Sequence, residues 1–156
     1  MEGDRNVTVV YRAATVLMLL SAFSTFAWGG ELTGLWEEYN DDTGKPEALI
    51  RIENAHDDIF EGRIEKLLPD TAENAATICK VCPGDLRNRP LLGLRILSGM
   101  KRKSALVFDD GEIVDPDDGK TYRCQIKLSE DGNTLKVTGY IGVSWIGQSE
   151  IWRRIK

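Results

Sequence analysis

The groups best suited to chemistry in this 156-residue chain are three cysteines, one histidine and a set of carboxylates crowded into turns. Cys79-Lys80-Val81-Cys82 has the spacing of a thiol redox pair or of half a zinc site. A redox pair normally opens a helix after a strand, and no such unit surrounds these residues. A zinc site needs two more ligands, which only Cys124 and His56 could supply. The plainer reading is a structural disulfide in an oxidising compartment, with an odd thiol left over. A Cys79–Cys82 bridge closes a very small loop; a bridge from either cysteine to Cys124 would constrain more chain. Adjacency favours Cys79–Cys82, because that pairing needs no tertiary coincidence.

Asp41, Asp42, Asp109, Asp110, Asp115, Asp117 and Asp118 cluster in turns. The run Asp115-Pro116-Asp117-Asp118-Gly119 has the flavour of a calcium loop. Its glycine comes one position early, however, and no bidentate glutamate follows in register. Turn chemistry explains these acids better. A single histidine and no Gly-x-Ser-x-Gly leave no nucleophile triad to assemble. No catalytic residue, metal or cofactor is therefore assigned. A paired-carboxylate hydrolase stays open, since carboxyl separations in space are not written in the sequence.

The elements that would position these groups are strands. Tyr122 to Leu128 alternates apolar and polar without a break, which turns Tyr122, Cys124, Ile126 and Leu128 to one buried face. Asp115 to Lys120 before it is a turn in which proline presets φ, aspartate bonds its own backbone and glycine takes positive φ. Similar strands are expected at Gly34–Tyr39, Glu47–Asn54, Phe60–Glu65, Leu91–Leu97, Ala105–Phe108, Leu135–Trp145 and Ser149–Ile155. Met100–Ser104 is expected as a basic turn. Pro69–Pro90 is long for a loop in a compact domain, with one short helical turn capped by Asp70. Eight or nine strands with almost no helix predict an all-β, up-and-down antiparallel barrel carrying one long cysteine-containing loop.

Residues 1–27 have the layout of a secretory signal peptide: Arg5 and Arg12, then an apolar run from Ala13 to Phe26, then small residues at Thr25 and Ala27. Cleavage there, or after Gly29, leaves residues 28–156 as a single barrel domain in the periplasm or outside the cell. An uncleaved anchor is the competing reading, but the run is short for a bilayer. The leader carries two acids and two bases, so the mature domain keeps the chain's net charge of −5. That sign argues against nucleic acid as a partner and against stable association with anionic membranes once the leader is gone.

Several ordered motifs carry a resemblance. Gly34-x-Trp36, the Asp-Thr-Gly-Lys-Pro turn ending at Pro46, Cys79-x-x-Cys82, Arg89-Pro90 through Gly93, Gly111 through Pro116, Gly119 through Cys124, Leu135 through Gly142 and Trp152-x-Arg154 fall in the same order as in a bacterial exported family, domain of unknown function 2147. The resemblance spans about Gly34 to Arg154. It implies a lipocalin-like (calycin) barrel and export, and it transfers no catalytic residue. Lipocalin-type barrels also begin with Gly-x-Trp and lay an arginine from the last strand across that tryptophan. Gly34 and Trp36 match the start, and Arg153 or Arg154 would be the cation, a contact worth about 0.5–2 kcal/mol.

A barrel of this size either fills with side chains or holds one small ligand. Small inward residues (Ala48, Gly62, Cys124, Gly139) favour a hollow. The expectation is a small apolar ligand in the barrel mouth, lined by Trp36, Phe60, Tyr122 and Cys124, with Pro69–Pro90 as its rim. The rival is an envelope-protein interaction module with a solid core and an apolar patch near Val81 and Leu86.

Overall fold

The computed structural model describes residues 31–40 and 43–155. The expected leader, Asp41 and Asp42 lie outside the described residues. Eight antiparallel strands follow one another: β1 (Gly34–Tyr39), β2 (Pro46–His56), β3 (Ile59–Leu67), β4 (Arg95–Arg102), β5 (Val107–Val114), β6 (Thr121–Leu128), β7 (Thr134–Tyr140) and β8 (Gln148–Ile155). Each pairs with its neighbour in the chain, and β1 pairs with β8 to close the barrel. Closure leaves no unpaired edge to recruit another chain. In this topology the β2–β3, β4–β5 and β6–β7 turns gather at one end. The β1–β2, β3–β4, β5–β6 and β7–β8 connections gather at the other.

The first end is packed shut. Trp36, Phe60, Met100, Phe108, Leu135 and Trp152 have no exposed surface there, and Leu32, from the segment entering β1, joins them. The Trp36 indole donates to the Leu32 carbonyl at 3.0 Å. Phe60 meets Phe108 edge-on at 5.2 Å. Arg154 lies across Trp36 at 4.1 Å, whereas Arg153 lies outside the barrel over Tyr39. The Arg154 guanidinium also donates to the carbonyls of Thr33 at 2.9 Å, Gly132 at 2.6 Å and Glu31. One cation thus ties the chain's entry into β1 to the β6–β7 turn. Gly34, at φ +141°, faces this guanidinium, and any Cβ there would run into it.

Five local expectations need correction. Residues 91–94 form a turn, not a strand; Gly93 takes φ +83° and exposes Leu92. The strand begins instead at Arg95 and continues through Met100, which is a core residue rather than part of a basic turn. Gly99, at φ +65°, interrupts the alternation there, so a strict period of two misses Met100. Likewise, β5 runs on through Asp109, Asp110 and Gly111, because Asp110 at φ +64° forms a bulge instead of ending the strand. Finally, β7 stops at Tyr140, where Gly142 at φ +84° turns the chain into a short 3₁₀ segment, Ser144–Ile146. The only α-helical turn in the described residues, Ala72–Ala75, is capped by Thr71 and not by Asp70: the Thr71 hydroxyl accepts from the Asn74 amide at 3.1 Å.

Candidate functional site

The second end of the barrel is hollow. A cavity of about 820 Å³ opens there. Its inner wall comes from inward positions of successive strands: Ala48 on β2, Ile64 on β3, Ile96 on β4, Ile113 on β5, Tyr122 on β6 and Val137 on β7. Gly139 contributes space as well, since a Cβ there would look across at Tyr122 and Ile113 at 3.5–3.6 Å. The rim is built from Leu67 at the end of β3, Leu91 on the β3–β4 connection, Asp115 to Asp117 on the β5–β6 turn, and Ile141 and Ile146 on the β7–β8 loop. Ile141, Trp145 and Ile146 on that last loop are 75–83% exposed, an apolar lip beside the opening.

Two carboxylates stand where the packed end meets the hollow end. Glu38 is one inward position from Trp36 on β1, and Glu150 is one inward position from Trp152 on β8. The Trp152 indole donates to Glu150 at 3.1 Å. No donor or cation pairs with Glu38 among the described residues. It is partly buried and lines the cavity. Loss of hydration is the main reason its pKa rises to about 8; the negative charges of Glu150, Glu47, Asp117 and Asp115 push the same way, in that order. The cavity lining holds five carboxylates (Glu38, Glu47, Asp115, Asp117, Glu150) and, among the described residues, no lysine, arginine or histidine.

Of the residues expected to line a pocket, only Tyr122 borders this cavity. Trp36 and Phe60 belong to the packed end, and Cys124 is sealed within the core, all three with no exposed surface. They do point inward, but depth along the axis places them below the hollow. Cys124 is a free thiol, and burial drives its pKa upward, so it is an inert core residue. His56 ends β2 at the opposite end from the cysteine-containing loop, and no group of three or more His, Cys, Asp or Glu side chains among the described residues could hold a metal. The Asp115–Lys120 turn spends Asp115 and Asp118 on itself. Asp115 accepts from the Asp117 amide at 2.8 Å, and Asp118 accepts from Lys120 at 2.9 Å and from the Tyr122 hydroxyl at 2.6 Å.

Cys79 and Cys82 form a disulfide, their Cα atoms 5.5 Å apart. The loop that carries it is ordered by its own ladder. The Cys79 amide donates to the Arg89 carbonyl at 2.9 Å, and the Asn88 amide to the Cys79 carbonyl at 2.7 Å. It docks on the β5–β6 turn: Cys79 Sγ lies 3.5 Å from the Pro116 carbonyl oxygen, and Val81 packs over Gly119. Gly119 has φ +72°, and a Cβ there would overlap the Val81 carbonyl. Gly119→Ala is expected to cost about 1–3 kcal/mol through backbone strain and this clash. It should also speed hydrogen exchange at the Cys79 and Asn88 amides, read by mass spectrometry. Cys79→Ser with Cys82→Ser is expected to cost about 2 kcal/mol, the loop-closure entropy of so short a ring, measured by urea denaturation.

Comparison with known proteins agrees with this architecture. No curated protein sequence matches the chain. Among solved structures, the Helicobacter pylori protein HP1028, described as belonging to the lipocalin family, superposes with a TM-score of 0.70 at 23% identity, covering 81% of this chain and 84% of that one. The likeness is one of fold. A family model described as "Uncharacterized protein conserved in bacteria (DUF2147)" matches residues 34–154, from the glycine of Gly-x-Trp to the arginine that crosses it. With the closed barrel, the tryptophan plug and the disulfide loop all inside that span, the chain belongs to the DUF2147 family.

Proposed function

We propose that this protein is an exported carrier or sensor that holds one small, largely apolar molecule in the open end of its barrel. The observation that carries the reading is the cavity of about 820 Å³, with Ile64, Ile96, Ile113 and Val137 on its inner wall and polar and acidic groups among the rest of its lining, a size that suits a drug-sized ligand. Burial of apolar surface against Ile64, Ile96, Ile113 and Val137 would supply the affinity, at about 25 cal/mol per Å². The disulfide loop and the Ile141–Ile146 loop frame the entrance. A disulfide suits an oxidising compartment, in line with residues 1–27 acting as a cleaved leader and with a periplasmic or secreted location. N-terminal sequencing of the protein from its own envelope should begin at Trp28 or Gly30.

Titration with a neutral, environment-sensitive naphthylamine dye tests the pocket. One dye should bind per chain, with micromolar affinity. Val137→Phe, which places a ring in the hollow, should weaken binding by at least about tenfold, equivalent to about 1.4 kcal/mol. A dye affinity indifferent to that substitution would sink the reading.

A second reading rests on Glu38. A carboxylic acid kept protonated near neutrality, with a second carboxylate on the same floor, is the acid half of paired-carboxylate hydrolysis. The inner wall of Ile64, Ile96, Ile113 and Val137 favours binding of an apolar body over turnover. The interaction-module reading required a solid core, and the cavity counts against it.

A further inference from the structure

We propose that the cavity selects an apolar molecule bearing a positively charged nitrogen, its cation seated at Glu38 and Glu150 and its hydrocarbon part against Ile64, Ile96, Ile113 and Val137. This rests on the ligand-binding reading above and names the class of ligand.

The sign of the guest follows from the lining. Five carboxyl groups and, among the described residues, no lysine, arginine or histidine line the cavity, although the chain as a whole carries 20 basic residues against 25 acidic ones. Low-dielectric walls around such a set concentrate its field. Glu38 makes the demand specific. It is enclosed and aimed into the cavity, and no donor or cation meets it among the described residues. An enclosed carboxylate without a partner is costly, and a cationic guest supplies that partner. The groups that face it do not: Glu150 from β8, Glu47 from β2, and Asp115 and Asp117 from the β5–β6 turn are all acids. A fatty-acid-like guest would add one more negative charge to this set. A bare divalent ion would need several converging ligands, and no group of three or more is gathered among the described residues. It would also leave the aliphatic wall unused. An ammonium on an apolar body uses both halves of the site.

Proton linkage is the signature. With its pKa near 8, Glu38 holds a proton in the empty protein at neutral pH, and a cation seated there displaces it. Affinity for a permanent cation should therefore rise with pH up to about 8, by up to about tenfold per unit, and level off above.

Calorimetric titration with three probes that share a decyl chain (decyltrimethylammonium, decanol and decanoate) tests this. At pH 8.5 the ammonium should bind at least about tenfold more tightly than decanol, with decanoate weakest. The preference should shrink at pH 6.5. Glu38→Gln should remove the preference and its pH dependence, and a circular dichroism spectrum and melt matching those of the parent at pH 5 report that the variant folds. If decanol binds as tightly as the ammonium, or if Glu38→Gln keeps the preference, the cation assignment is overturned and the ligand-binding reading stands. If none of the three binds, that reading falls as well.

Discussion

Trp36→Ala is expected to lower the unfolding free energy by about 3–5 kcal/mol, the range for removing a large aromatic from a packed core. The urea midpoint should fall accordingly, with an unchanged slope if the unfolded state is unaffected. Trp36 has no exposed surface, and its removal would leave Arg154 stacked over a void. Arg154→Met should cost less, about 2–3 kcal/mol: three carbonyls lose a charged donor, but the methionine stem still covers the indole. The two residues touch, so the double variant should lose less than the sum of the singles. Strict additivity would mean that the tryptophan and the arginine act separately and that the end of the barrel is not one plug.

Glu38→Gln is expected to stabilise the protein in alkaline solution and to do nothing in acid. In the folded protein Glu38 titrates near 8, against an ordinary value of 4.5 for an unfolded chain. Between those values the folded state binds the proton more tightly, so stability falls as pH rises through the window. Below about pH 4.5 the carboxyl is neutral in both states, and glutamine is its near equivalent. Above pH 8 the folded protein carries a poorly solvated charge that glutamine lacks. Linkage at 1.36 kcal/mol per unit sets an upper bound, and water in the cavity reduces it, leaving a gain of about 2–3 kcal/mol at pH 9. Thermal melts of both proteins from pH 4 to pH 9 should superpose at the acid end, diverge from about pH 5 and reach full separation above about pH 8. Parallel curves would place Glu38 in ordinary solvent and weaken the case for an acidic cavity floor.

Much of the barrel was legible because strands and hairpin turns are local. The run Tyr122–Leu128 folds as it reads, and the Asp57–Asp58 turn takes the positive φ that a tight two-residue hairpin requires. The Cys79–Cys82 pairing was legible because the two residues are neighbours in sequence. Misreadings fell where one residue breaks the period. Gly99 and Asp110 insert bulges inside strands that simple alternation would end.

The acidic floor was missed, although a signal for it exists. Glu38 shares the inward face of β1 with Trp36, and Glu150 shares that of β8 with Trp152. A carboxylate two residues from a buried tryptophan, on both strands that close the barrel, is a charge on the wrong face for a solid core. Attention to apolar alternation passes over it, because charged residues are read by default as solvent-facing.

Alternation in the chain determined which side chains turn inward, and turn residues determined that eight such ribbons follow one another. Neither specifies height along the barrel axis. Trp36, Phe60, Cys124 and Tyr122 all point inside, yet only Tyr122 reaches the hollow, because strand tilt and bulges set each residue's level only once the sheet closes. Tertiary structure alone brings Glu38 and Glu150, from opposite ends of the chain, to one floor, where loss of water and the neighbouring charge of Glu150 raise the pKa of Glu38.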